Sequence, residues 1–119
     1  MNLRINYVEL PANDFDAVQA FYAGAFGWAF TDYGEQYRAF SDGHLEGGFT
    51  RSEKVSRVTS GAALVILYAP DLEAARDAVL RHGGRLSADI FAFPGGRRFH
   101  FLDPHGNELA IWSDGSAPA

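Results

Sequence analysis

Cysteine is absent from the 119-residue sequence, which excludes disulfides, thiolate metal ligands and cysteine nucleophiles. The sequence also lacks any apolar run that approaches the ~20 residues needed to span a bilayer. Its polar start, Met1-Asn2-Leu3-Arg4, is unlike a signal peptide. We therefore expect a cytoplasmic protein without a membrane segment.

Basic residues are also scarce. The chain has 10 of them, with Lys54 as the single lysine, against 15 acidic residues, and its formal net charge is −5. Proteins that bind nucleic acids normally present clustered lysine and arginine. The charge balance therefore disfavours a nucleic-acid partner.

Apolar residues are plentiful. The hydrophobic fraction is 47 % and the aromatic fraction 14 %, which excludes a disordered chain. The 13 glycines follow no fixed period, which excludes a collagen-like repeat. A chain of this length can bury roughly two-thirds of its surface, so we expect one globular domain with an ordinary core.

The first half of the sequence predicts a strand, a helix and three strands. The strand Arg4–Leu10 ends at Pro11, and Asn13 is the predicted N-cap of the helix. Gly24 and Gly27 are expected to stop that helix. Its apolar positions recur at helical spacing, and short alternating segments follow. The apolar positions are Phe15, Val18, Phe21, Tyr22 and Ala25, and the three strands are Trp28–Asp32, Tyr37–Ser41 and Leu45–Arg51.

The second half repeats this order. A polar segment, 52–60, reads as a linker, and Asp71 then opens a helix as Asp14 does in the first half, at an offset of 71 − 14 = 57 residues. We therefore predict an α+β domain of two βαβββ modules, with module one over 1–51 and module two over 61–114. The second module is expected to contain the strands Ala62–Tyr68, Arg85–Phe93, Arg97–Leu102 and Glu108–Ser113, and a helix with Leu72, Ala75, Val79 and Leu80 on its inner side.

Two segments resemble the vicinal-oxygen-chelate superfamily, which includes glyoxalase I, bleomycin-resistance proteins and extradiol dioxygenases. The first is Tyr7-Val8-Glu9-Leu10 with the helix that follows it, ending at Phe26-Gly27-Trp28. The second is Arg98-Phe99-His100-Phe101-Leu102-Asp103-Pro104-His105-Gly106-Asn107-Glu108-Leu109. The resemblance implies that the modules form a cup of mixed β-sheet with helices outside, and that the chain forms a homodimer. The apolar residues Trp28 and Phe30 are candidates for a surface that faces the partner.

The resemblance also implies where a metal ion would bind, and these positions hold unsuitable residues. The family's ligand positions fall on Tyr7, on Leu64 or Val65, and on Ala110. Aliphatic side chains donate no lone pair, and a lone phenol does not hold zinc or iron(II). We therefore expect no metal or other cofactor at the family site.

Side-chain alternation along the strands predicts the lining of the cup. In the penultimate strand, Phe99 and Phe101 should pack on the helices while Arg98 and His100 face the cup. Glu9 and Arg98 could instead pair with each other as a structural ion pair. The full predicted lining is Tyr7, Glu9, Tyr37, Glu46, Arg98, His100, Glu108 and Trp112.

Three hypotheses about function remain open. The first is a metal-free module that sequesters a small molecule, as bleomycin-resistance proteins do. The second is a glyoxalase-like lyase or isomerase, with His100 as base and Arg98 binding a carboxylate or oxyanion. The third is a replacement metal site built from Glu9, Glu46, His100 and Glu108.

Overall fold

Two four-stranded sheets and two helices make up the fold. The structure is a computed structural model that describes residues 1–115. The first sheet has the strand order β1-β4-β3-β2 and the second β5-β8-β7-β6. The pairs β1–β4 and β5–β8 are parallel and the others antiparallel, so each sheet is mixed, as the α+β prediction requires. The strands are Tyr7–Ala12, Ala29–Asp32, Tyr37–Ser41, Glu46–Arg51, Val65–Tyr68, Arg85–Phe93, Gly96–Leu102 and Glu108–Ser113, numbered β1 to β8.

The first helix, α1, spans Phe15–Phe26. Its N-cap is Asp14, whose carboxylate accepts a hydrogen bond from the Ala17 backbone N–H, so the prediction of Asn13 was wrong by one residue. Gly27 ends the helix in the left-handed conformation, and Gly24 lies within it.

The second helix, α2, spans Leu72–Arg81 and is capped in the same way, by Asp71. Leu72 and Val79 are buried as expected, but Leu80 is 48 % exposed, so its inner placement was wrong. Among residues 1–115 the structure has no helix long and apolar enough to cross a membrane.

The first strand starts and ends later than the sequence suggests. It covers Tyr7–Ala12 and runs through Pro11, which was expected to break it. Proline has no backbone N–H, but β1 lies at the edge of its sheet. The donor that Pro11 lacks is therefore not needed by a neighbouring strand. The Pro11 carbonyl accepts a hydrogen bond from the side-chain amide of Asn107.

One hydrophobic core lies between the helices and the sheets. Trp28 belongs to it, stacked between the rings of Tyr22 and Phe40, so the expectation that Trp28 faces a partner was wrong. Phe30 is half-buried and packs against the same core. We call the opposite side of each sheet, away from the helices, its cup face.

The segment predicted as a linker, 52–60, packs against β8. It contains a single 3-10 turn, Val58–Ser60. The Ser56 N–H donates to the side-chain carbonyl of Asn107, and the Ser56 carbonyl accepts from the N–H of Glu108. This segment therefore contributes contacts to the second sheet as well as connecting the two sheets.

Candidate functional site

Strand alternation places the predicted polar residues on the cup faces. In β7, Phe99 and Phe101 are fully buried in the core, whereas the alternate residues Arg98 and His100 point to the other side. In β1, Leu10 is in the core and Tyr7 and Glu9 share the cup face.

The cup face of the first sheet holds a pair of phenols. The hydroxyls of Tyr7 and Tyr37 lie 2.7 Å apart. Burial and hydrogen bonding to Tyr7 and to the neighbouring Glu9 raise the pKa of Tyr37, so its hydroxyl stays protonated. Gly48 makes room for this arrangement, because a Cβ at Gly48 would lie 2.0 Å from the Tyr37 hydroxyl oxygen. Glu46 lies opposite Tyr7 in the register and is exposed.

The cup face of the second sheet holds a chain of hydrogen-bonded charged and polar groups. His100 Nδ1 lies 3.0 Å from Glu108 Oε2, and His100 Nε2 lies 3.2 Å from Arg98 Nε and 2.8 Å from Arg98 Nη2. We call Arg57, Glu108, His100 and Arg98 the relay. It runs from the 52–60 segment across β8 to β7.

Glu108 is the buried centre of the relay, with its side chain 10 % exposed. Its Oε1 accepts from Arg57 Nε and from the Val58 N–H, both at 3.3 Å. Burial alone raises the pKa of Glu108, but the hydrogen bonds from His100, Val58 and Arg57 outweigh burial and hold the pKa below its usual range. Glu108 is therefore an anion at neutral pH.

The contacts of His100 fix its tautomer. An arginine side chain only donates hydrogen bonds, so the His100 Nε2 that faces Arg98 must be unprotonated. The proton is then on Nδ1 and is donated to Glu108. In this arrangement the Nε2 lone pair is occupied by Arg98, which leaves no free nitrogen on His100 to act as a base.

Aromatic side chains surround the outer end of the relay. The Arg98 guanidinium carbon lies 5.6 Å from the ring centre of Phe91 and 5.7 Å from that of Phe93. A cavity of about 350 Å³ opens beside it, lined by Ile66, Phe93, Gly95, Arg98 and Trp112. Apolar walls with one or two fixed polar groups are typical of small-molecule sites.

An irregularity in β6 brings these rings to Arg98. The β6–β7 register shifts between Ala88 and Phe91, so that Ala88 pairs with His100 and Phe91 with Arg98. Ala88 and Phe91 are three residues apart, and strict alternation would put them on opposite faces. The bulge instead places both on the cup face.

The predicted lining forms two separate groups. Arg98, His100 and Glu108 are joined on the second sheet, where Trp112 lines the adjoining cavity, and Tyr7, Tyr37 and Glu9 are close on the first. Within residues 1–115 no hydrogen bond or ion pair joins the two groups. The alternative of an ion pair between Glu9 and Arg98 is therefore not realised, since Arg98 contacts His100 instead.

The metal-ligand positions implied by the resemblance hold Tyr7, Leu64 or Val65, and Ala110. Val65 packs against the core, which leaves Leu64 as the residue with cup-face alternation. None of Leu64, Val65 and Ala110 has a side-chain donor atom, so these side chains do not fit a metal ion. In the part of the chain that the structure describes, no three histidine or acidic side chains are grouped to hold a metal, and the set Glu9, Glu46, His100 and Glu108 is not brought together.

Several neighbours of the site were missed from the sequence. Arg57 lies in a polar segment without periodicity, and Phe91 and Phe93 lie beyond a bulge. Ile66 and Tyr68 alternate with the core residues of β5, so side-chain alternation could have identified them as cup-face residues. Phe91 and Phe93 gave no such signal.

The chain is similar in sequence to one family model and to one known relative. The family model described as Glyoxalase/Bleomycin resistance protein/Dioxygenase superfamily matches residues 4–111. A glyoxylase-like domain-containing protein from Didymella fabae is 28 % identical, and the match covers 91 % of each chain.

Solved structures share the architecture at low identity. The fosfomycin resistance protein FosX from Listeria monocytogenes superposes with a TM-score of 0.78 at 12 % identity, over 95 % of this chain and 94 % of that one. Lactoylglutathione lyase from Agrobacterium tumefaciens gives a TM-score of 0.72 at 20 % identity, over 94 % of each chain. At these identities the likeness establishes the fold alone.

Proposed function

Because the chain belongs to the Glyoxalase/Bleomycin resistance protein/Dioxygenase superfamily, we propose, from that premise, that it is a metal-free homodimer of the cytoplasm that binds a small molecule. The observation that carries this proposal is the cavity beside Arg98. Its walls are Ile66, Phe93 and Trp112, and the nearby family ligand position is Ala110. A site of this composition binds by apolar contact and one fixed charge rather than by metal coordination.

Exposed apolar side chains on both cup faces support binding and dimerisation. Tyr68 is 51 % exposed and Ile66 44 % exposed, and Tyr7 and Phe91 are also exposed. Contiguous exposed apolar surface is typical of ligand-binding and protein-interaction sites. A ligand in the cavity, together with a second copy of the chain, would cover these residues.

A lyase or isomerase reaction with His100 as base is the alternative. It requires His100 Nε2 to accept a proton from a substrate, and Arg98 donates two hydrogen bonds to that atom. The observed contacts favour a positioning role for His100. The geometry therefore supports binding better than base catalysis.

The metal-free part of the proposal is tested by elemental analysis of protein purified without a histidine tag. We expect far less than one equivalent of zinc, nickel, manganese or iron per chain. A chelator should change neither the melting temperature nor the affinity of any ligand found in a thermal-shift screen. A stoichiometric metal whose removal abolishes binding would contradict the proposal.

The binding site is tested by a matched pair of truncations. Ile66→Ala removes an aliphatic side chain from the cavity, and Leu80→Ala removes one of similar exposure (48 %) from α2. We expect Ile66→Ala to weaken ligand binding by roughly tenfold, which is about 1.4 kcal/mol, since it removes three carbon atoms and fully burying one methylene contributes about 0.8 kcal/mol. The Leu80→Ala protein should bind like the wild type, and sedimentation should show a dimer for both.

A further inference from the structure

Arg98 is a partly buried arginine of the cup face that has no carboxylate partner among the described residues. Arg38, Arg57, Arg76 and Arg97 each form an ion pair with a carboxylate. For Arg98, no aspartate or glutamate of the described residues lies within ion-pair distance, and its hydrogen bonds go to the neutral ring of His100. Its positive charge therefore has no direct carboxylate partner on the cup face.

The surroundings of Arg98 hold its guanidinium in one place. Nε–H and one N–H of Nη2 are used by His100, and His100 is itself held by Glu108. The rings of Phe91 and Phe93 lie within 6 Å of the guanidinium carbon. A guanidinium has five N–H groups, so three remain to donate to a ligand.

Each member of the relay has a distinct part in this arrangement. Arg57 and the Val58 N–H hold one oxygen of Glu108, which leaves the other oxygen for His100. His100 thereby presents a lone pair to Arg98 and carries no charge of its own. Glu108 lies on the opposite side of the imidazole ring from Arg98, so the charge that faces the cavity is that of Arg98.

From this arrangement we infer that the cavity binds an aromatic carboxylate, whose anionic group receives hydrogen bonds from Arg98 and whose ring packs between Trp112, Phe93 and Ile66. This inference rests on the proposed small-molecule function and names the ligand class. The cavity of about 350 Å³ accommodates a molecule of one or two fused rings. The planar fork of arginine matches the two oxygens of a carboxylate, and a desolvated pair of this kind is strongly bound.

The test uses three probes that share one ring system and differ in charge: indole-3-acetate, indole-3-acetamide and tryptamine. We expect calorimetric titration of the wild-type protein to give an affinity for the acetate at least tenfold above that for the acetamide. Tryptamine should bind most weakly, because its ammonium group faces Arg98. Equal or tighter binding of the acetamide or tryptamine would overturn the inference while leaving small-molecule binding in place.

Two adjacent arginines provide the matched variants. Arg98→Gln should reduce the preference for acetate over acetamide to within about threefold, whereas Arg97→Gln, which changes an arginine on the helix-facing side of the same strand, should leave it at the wild-type value. Arg98→Lys keeps the charge without the fork and should give an intermediate preference. The preference is a ratio within one protein, so a general loss of stability does not alter it.

Two further outcomes count against the inference. An unchanged preference in Arg98→Gln would show that another group recognises the anion. Failure of all three probes to bind the wild type would exclude the proposed ligand class. The proposed function itself would then depend on the wider thermal-shift screen.

Discussion

The hydroxyl of Tyr22 donates a hydrogen bond of 2.8 Å to Oδ2 of Asp103, joining α1 to the turn between β7 and β8, 81 residues away in the sequence. Both residues are buried. Burial raises the pKa of Asp103, and the hydrogen bonds from Tyr22 and the turn offset part of this effect. The contact couples the first half of the chain to the turn that precedes Glu108.

Removal of the Tyr22 hydroxyl should destabilise the protein. Tyr22→Phe leaves Asp103 buried with one donor fewer, and we expect a loss of about 1–3 kcal/mol in the free energy of unfolding. In the wild type the hydrogen bond from Tyr22 lowers the pKa of Asp103, so this pKa should rise further when the hydroxyl is removed. Urea denaturation measures the first effect, with Tyr33→Phe at an exposed tyrosine as the control. Equal stability of the two variants would contradict the prediction.

Glu108 should stabilise the fold in a pH-dependent way. Its pKa is lower in the folded protein than in the unfolded chain, so its contribution is present above the unfolded pKa and is lost as the pH falls through the folded pKa. We expect Glu108→Gln to lose about 1–3 kcal/mol near neutral pH, because Arg57 and His100 lose a charged partner. The difference from the wild type should shrink as the pH falls below the pKa of a glutamate in the unfolded chain. A difference that stays constant with pH would show that the charge of Glu108 has no part in it.

Gly48 should tolerate no side chain while Tyr37 is present. The added methyl of Gly48→Ala would meet the Tyr37 hydroxyl at 2.0 Å, and relief requires the phenol to leave Tyr7. We expect a destabilisation of about 1–3 kcal/mol. In a double-mutant cycle, Tyr37→Ala should remove most of this cost. Additive effects of the two substitutions would mean that the methyl is accommodated without contact.

Glu73 should titrate at unusually low pH. Hydrogen bonding from Arg97 is the largest of the effects that lower the pKa of Glu73, to about 2. We expect Arg97→Gln to return this pKa toward its usual value of 4.5. Carbon-13 NMR titration of the glutamate carboxyls reports the change, and Arg98→Gln, which does not touch Glu73, is the control. A Glu73 pKa that is unaffected by loss of Arg97 would contradict the assignment.

Much of the fold could be predicted from local patterns. Apolar periodicity identified α1 and α2, and strand alternation separated Phe99 and Phe101 from Arg98 and His100. The same alternation holds only while strands pair without irregularity. The bulge in β6 depends on how that strand fits β7, and no property of residues 88–91 alone indicates it.

The relay was predicted only in part for a similar reason. His100 and Glu108 lie eight residues apart on antiparallel strands, so their proximity follows from a short hairpin. Arg57 reaches Glu108 from a segment with no periodicity, and only the packed structure shows that contact. Likewise, the identity of the α1 cap, Asp14 rather than Asn13, depends on backbone geometry that either residue could adopt.

The contact between Arg57 and Glu108 allows a residue outside the cavity to influence how the cavity binds an anion. Arg57 does not line the cavity, yet it holds the carboxylate that orients His100 and, through it, Arg98. Exchanges at position 57 can therefore adjust how strongly an anion is gripped without reshaping the space that admits the ring. Ligand preference would then depend on a connecting segment that lies outside the cavity and 51 positions before Glu108 in the chain.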